Sequence, residues 1–162
     1  MLCHRYAAAV DRIEELRYLV LAAQREGNRR LTDALRPLGV TPAQAEVLTV
    51  LAGSDGPLSV KELGTLLVCE TGSPSRLTRT VVTAGWAQQV RDEVDGRLTR
   101  LRLTTSGTAL AQRVRDVETA FHARLAAALE DDEGTASTVR VLRVLVSDGP
   151  SGAAIERRRS RT

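Results

Sequence analysis

Between Ser73 and Trp86 the sequence reads SPSRLTRTVVTAGW. Placed at 100° steps around a helix axis, Ser75, Arg76, Arg79 and Thr83 fall on one side, and Leu77, Val81 and Ala84 on the other. Hydroxyl and guanidinium groups grouped in this way bond phosphate oxygens, and arginine pairs in bidentate fashion with O6 and N7 of guanine. Ser73 stands just before Pro74 and is both a helix cap and a further hydroxyl for such contacts. On an isolated helix the same pattern is a solvated polar face, so the neighbouring segments decide between the two readings.

The segment that follows supplies a second cluster of positive charge. Residues 86–92 (WAQQVRD) and 98–104 (LTRLRLT) read as strands, with Leu101 and Leu103 alternating against Arg100 and Arg102. Between them lies EVDG, an Asp-Gly turn of the kind hairpins favour. Arg91, Arg97, Arg100 and Arg102 then put positive charge on adjacent strands, and Arg97 at the tip suits the negative potential of a minor groove. Asp95 is expected to bind and orient a nearby arginine, with Gly96 permitting the bend.

The preceding elements carry their own start signals. Thr41-Pro42-Ala43-Gln44 and Ser59-Val60-Lys61-Glu62 are capping boxes. The first opens a helix whose apolar side is Val47, Leu48 and Leu51, and the second one with Leu63, Leu66 and Leu67 inside. The second of these and the helix from Ser73, joined by CETG, predict a helix-turn-helix, which the hairpin converts into a winged one. Upstream, apolar residues recur at helical spacing from Tyr6 to Leu35. A helix of that length either crosses the whole domain or reaches into a second subunit. Downstream, Leu110, Val114, Val117, Phe121 and Leu125 predict a long helix to about Leu129. Asp131, Asp132 and Glu133 suit the start of a last one with Val139, Leu142 and Val146 inside. Gly149-Pro150 is expected to end it, leaving residues 149–162 as a disordered basic tail. The fold class is therefore mainly α with a small β-hairpin wing (α+β).

The bulk properties restrict the function. The chain has 162 residues, 43% hydrophobic and only 2% aromatic, so its core is one of Leu, Val and Ala, which favours helix-on-helix packing. The net charge is +3, and Lys61 is the only lysine. No run reaches the roughly 18 apolar residues of a membrane span, and no signal peptide is evident, so a cytoplasmic protein without membrane contact is expected. Cys3 and Cys69 do not suggest a disulfide framework. Cys69 reads as a buried, inert thiol, with a redox sensor as the lesser alternative. His4 and His122 are isolated from any zinc-like spacing. No glycine-rich phosphate loop or paired nucleophile and base is present, so no enzyme activity, metal or cofactor is expected.

Taken together, these segments resemble the MarR (multiple antibiotic resistance regulator) family of winged-helix transcription factors. LGVTPAQAEVLTVL looks like the family's first turn and second helix, and SVKELGTLLVCETGSPSRLTRTVVTAGW like its helix-turn-helix. DGRLTRLRLTTSG matches the wing signature D-x-R with a strand ending in LT and a glycine. Gly96 stands where arginine is common, and Pro74 where a β-branched residue is common. The resemblance implies a homodimer held by helices within about residues 1–36 and 105–148, around a DNA-binding lobe of about 41–104. It implies a pseudo-palindromic double-stranded DNA operator, with Ser75, Arg76 and Arg79 in the major groove and Arg97 in the minor groove. It further implies a repressor released by a small-molecule effector. Tyr6, Tyr18, Phe121 and His122 are candidates to line the effector site, and core packing accounts for each equally well. The alternatives are a helical dimerisation module that has lost DNA binding and a thiol-based redox regulator.

Overall fold

The computed structural model describes residues 2–69, 73–92, 95–129 and 132–160, with side chains from Asp11 onward except that of Asp132. The side chains of Cys3, His4 and Tyr6, the turn residues Glu70 to Gly72, Glu93 and Val94 of the hairpin, and Asp131 lie outside them. Helix α1 (Leu2–Leu35) ends in a 3-10 turn, Arg36–Leu38. Helix α2 (Pro42–Ala52), strand β1 (Leu58–Ser59), α3 (Val60–Gly64) and α4 (Pro74–Thr83) follow. Strands β2 (Ala87–Arg91) and β3 (Thr99–Leu103) lead into α5 (Thr105–Leu129), α6 (Asp132–Val146) and α7 (Pro150–Arg159).

The start signals act as their chemistry requires. Thr41 Oγ1 accepts from the Gln44 amide at 3.3 Å, and Gln44 Oε1 accepts from the Thr41 amide at 3.0 Å. Ser59 and Glu62 make the same reciprocal pair at 3.2 and 2.8 Å. Each box satisfies two amides that a bare helix end would leave without acceptors. Ser73 caps α4 by accepting from the Arg76 amide at 3.3 Å.

The core lies in the lobe. Leu35 from α1, Val47 and Leu48 from α2, Leu63 from α3, Val81 from α4, Leu101 from β3 and Val114 from α5 are fully buried. The sheet has three antiparallel strands in the order β1-β3-β2, with Leu58 opposite Leu101 on one side and Gln89 opposite Leu101 on the other. The sequence pattern predicts only the hairpin. Strand β1 is two residues long, too short to show alternation.

Other expectations need correction. Helix α3 stops at Gly64, so Leu66 and Leu67 are buried from the turn beyond it. Ala84 is the exposed C-cap of α4, and the buried set there is Leu77, Thr78 and Val81. Val139 and Leu142 of α6 are exposed, at 44% and 38%. The largest correction concerns the tail: residues 150–159 form α7, with Gly152 and Ala154 buried. Pro150 does not end the helical structure. It occupies the first turn of the next helix, where its missing amide proton costs nothing.

Candidate nucleic-acid interface

Helix α4 is held by a few packed side chains. Leu77 is 7% exposed, Thr78 3% and Val81 0%, and the Thr78 hydroxyl donates back to the Pro74 carbonyl at 2.6 Å. Its C-terminus closes in a Schellman motif: the Trp86 amide donates to the Val81 carbonyl at 3.1 Å, and the Gly85 amide to that of Val82 at 2.9 Å. Gly85 has φ +75°, which only glycine adopts without strain. With that face seated, Ser75, Arg76, Arg79 and Thr83 are turned away from the core. Ser75, Arg76, Arg79 and Thr83 are all exposed together with the cap Ser73, while Pro74 is half-buried at the start of the helix.

The wing is pinned at its base. The Thr104 hydroxyl donates to the Gly85 carbonyl at 2.7 Å and accepts from the Gly107 amide at 3.1 Å, capping α5. Ser106 also donates to the Gly85 carbonyl, at 3.1 Å. A Cβ on Gly107 would sit 1.7 Å from the Trp86 carbonyl oxygen, so the LTTSG segment needs glycine for steric reasons. The end of α4, the foot of the wing and the start of α5 thus form one rigid joint.

Arg91 and Arg97 are exposed on the wing. Arg100 is placed differently. Its Nε donates to the buried carboxylate of Asp92, and its Nη1 donates to Glu62 at 2.8 Å and to the Pro57 carbonyl at 3.2 Å. Its guanidinium therefore ties the wing to the N-terminus of α3 and faces two carboxylates. Hydrogen bonds from Ser59 and then the Arg100 charge hold the Glu62 carboxyl below the usual carboxylate range. Asp95 does not orient an arginine side chain. Its Oδ1 accepts the Arg97 backbone amide at 3.0 Å, which shapes the tip. The residue that does orient an arginine is Asp92, which no local sequence signal singles out. Gly96 does not adopt a positive φ, so the turn does not use that freedom of glycine.

Cys69 is exposed rather than buried. Desolvation of its thiol, and then the neighbouring Glu46 carboxylate, push its pKa from 9.0 up to about 11. The effector candidates are scattered. Phe121 lines an open groove of about 650 Å³ between α1 and α5, with Arg30, Val117, Arg124 and Leu125. His122 meets the Phe121 ring edge-on at 6.1 Å without lining the groove. Tyr18 is 55% exposed on α1 under the Arg17 guanidinium, 4.4 Å from the ring centre. Among the described residues no three His, Cys, Asp or Glu side chains are grouped to hold a metal, and no helix is long and apolar enough to cross a membrane.

Comparison with known proteins agrees with this geometry. Residues 40–107 match the family model described as a winged helix DNA-binding domain. Over 118 residues the chain is 28% identical to the multiple antibiotic resistance protein MarR of Escherichia coli K12, covering 71% of this chain and 80% of that one. Among solved structures, it superposes on a cysteine-to-serine mutant of E. coli MarR complexed with operator DNA with a TM-score of 0.72 and 25% identity, over 83% of this chain and 95% of that one. The Staphylococcus aureus MepR–DNA complex shares the fold with a TM-score of 0.71 at 21% identity, over 80% and 96% of the two chains. The capped helices, the seated α4 with its arginine-bearing outer face and the pinned wing all lie in or beside the matched segment, and the chain carries a winged helix DNA-binding domain similar to those of the MarR transcription regulators.

Proposed function

We propose that the chain works as a homodimeric repressor of a pseudo-palindromic operator. In this reading Ser75, Arg76, Arg79 and Thr83 enter the major groove, Arg97 enters the adjacent minor groove, and Ser73 and Arg91 bond phosphates. The observation that carries it is the two-sidedness of α4: Leu77, Thr78 and Val81 seat the helix, and both arginines stand exposed on the side opposite. Arg100 leaves the DNA-binding set and acts by anchoring the wing, because two carboxylates already take its guanidinium. Two relatives of this fold are described on DNA, one of them on operator DNA.

Dimerisation is supported by apolar side chains exposed along the long helices, among them Ile13 and Leu19 on α1, Leu125 on α5, and Val144 and Leu145 on α6. Such a run of exposed hydrophobics marks an interaction surface, and a two-fold axis through it spaces the two α4 helices for successive major grooves. The groove beside Phe121 lies between α1 and α5, the helices that join the dimerisation layer to the lobe. It is the place where a small effector shifts lobe spacing and lowers operator affinity. The raised thiol pKa of Cys69 counts against the redox alternative.

The test is selection of genomic fragments by the protein, followed by measurement of Arg79→Ala on the selected duplex. Loss of a bidentate base interaction costs about 1–3 kcal/mol and relaxes preference at one base pair. If Arg79→Ala binds every fragment as the parent does, α4 is not the reading element.

A further inference from the structure

The basic C-terminal helix reaches back to the turn between α3 and α4. Arg157 Nη1 donates to the Thr65 carbonyl at 3.1 Å. Arg158 Nε donates to the Leu66 carbonyl at 2.7 Å, and its Nη2 to Oε1 of Glu46 at 2.6 Å. The Glu46 side chain is 7% exposed, and it also accepts the amides of Val68 and Cys69, each at 2.8 Å. One carboxylate from α2 thus holds the segment leading into α4, and Arg158 supplies its counter-charge. A buried carboxylate deprived of its cation destabilises whatever it holds.

The other end of α7 is fastened to α6. A Cβ on Gly152 would sit 2.1 Å from the Val146 carbonyl oxygen, and Ala154 is 1% exposed. The helix therefore spans from the end of α6 to the turn before α4.

We propose that α7 is a strap that sets the pose of α4 against α6, with Arg158 as a positioning residue for DNA binding that acts through Glu46. The inference rests on α4 being the DNA-reading helix. The competing role for these arginines is direct bonding to phosphate. Geometry favours the strap, because the Arg158 guanidinium is directed at acceptors on α2 and beyond α3. The two roles differ in salt dependence. Removing one phosphate-bonded arginine flattens the slope of log affinity against log salt by about 0.9, whereas removing a positioning group leaves the slope unchanged.

The experiment uses the full chain and a duplex selected from genomic fragments by the parent protein, titrated over a salt series. Arg158→Ala is expected to lower affinity about tenfold at unchanged slope, from loss of charge-assisted hydrogen bonds. Hydrogen exchange should quicken at the Val68 and Cys69 amides. Arg158→Lys should restore only part of the affinity, because one ammonium cannot reproduce the fork across both acceptors. Should Arg158→Ala fail to fold, Arg157→Ala loses only the Thr65 bond and should show a smaller loss of the same kind. A slope flattened by about one, with unaltered exchange at those amides, overturns the strap in favour of phosphate binding. Unchanged affinity for Arg158→Ala while Arg79→Ala binds more weakly overturns the strap alone. Unchanged affinity for both overturns the reading of α4 and the strap with it.

Discussion

Arg97 and Arg100 are three residues apart in the sequence, on the same hairpin, and their surroundings separate their roles. Arg97 is exposed at the tip, shaped by Asp95 beneath its amide, whereas Arg100 is bound by Asp92 and Glu62. Arg97→Ala should weaken binding of all sequences similarly and flatten the log–log salt slope by about one, measured by titrating a fixed duplex at several salt concentrations. Cys69 offers a second test at this scale. Its thiol pKa of about 11 lies well above the ordinary 9.0, so near neutral pH it carries about a hundredfold less thiolate than a free cysteine. In a Cys3→Ser background, iodoacetamide should therefore alkylate it correspondingly slowly, and peroxide should leave DNA binding unchanged. Alkylation as fast as that of a free thiol would contradict the desolvation of Cys69 beside Glu46. Residue types marked the candidates here, but the partner of each arginine depended on Asp92, which nothing local distinguishes from any other acidic residue.

At the scale of elements, the joint between α4, the wing and α5 limits how the lobe can move as a unit. Gly107 lies against the Trp86 carbonyl, and a Cβ there meets it at 1.7 Å. Gly107→Ala should cost about 3 kcal/mol in urea unfolding, since backbone must shift to admit the methyl group. Gly96→Ala, with nothing within 4 Å of the added Cβ, should change stability by less than about 0.5 kcal/mol. Equal effects at both positions would remove the steric account of the joint. The capped helices were legible because a capping box is local, with both partners three residues apart. Strand β1 and the buried Thr78 were not. A two-residue strand acquires meaning only by pairing with β3, and Thr78 is hidden by what packs on it.

For the whole molecule, the exposed apolar residues of α6 are the sharpest observation. Val144 is 75% exposed and Leu145 58%, an arrangement that a partner subunit would bury. Leu145→Glu should weaken self-association by about thirtyfold or more, as loss of an interface hot spot does. Analytical ultracentrifugation over a concentration series measures it. If that variant associates as the parent does, this face of α6 is not the dimer surface.

The order of the helices up to α6, most of their starts, the hairpin and the two faces of α4 are encoded locally, because caps, periodicity and turn residues act over a few positions. Long-range packing, by contrast, is what makes residues 150–159 a helix, binds Arg100 to Asp92 and Glu62, and brings Glu46 and Arg158 together at the turn before α4. These depend on groups far apart in the chain, Glu46 and Arg158 most of all. A short stretch poor in apolar residues, such as α7, holds its shape only through such distant partners.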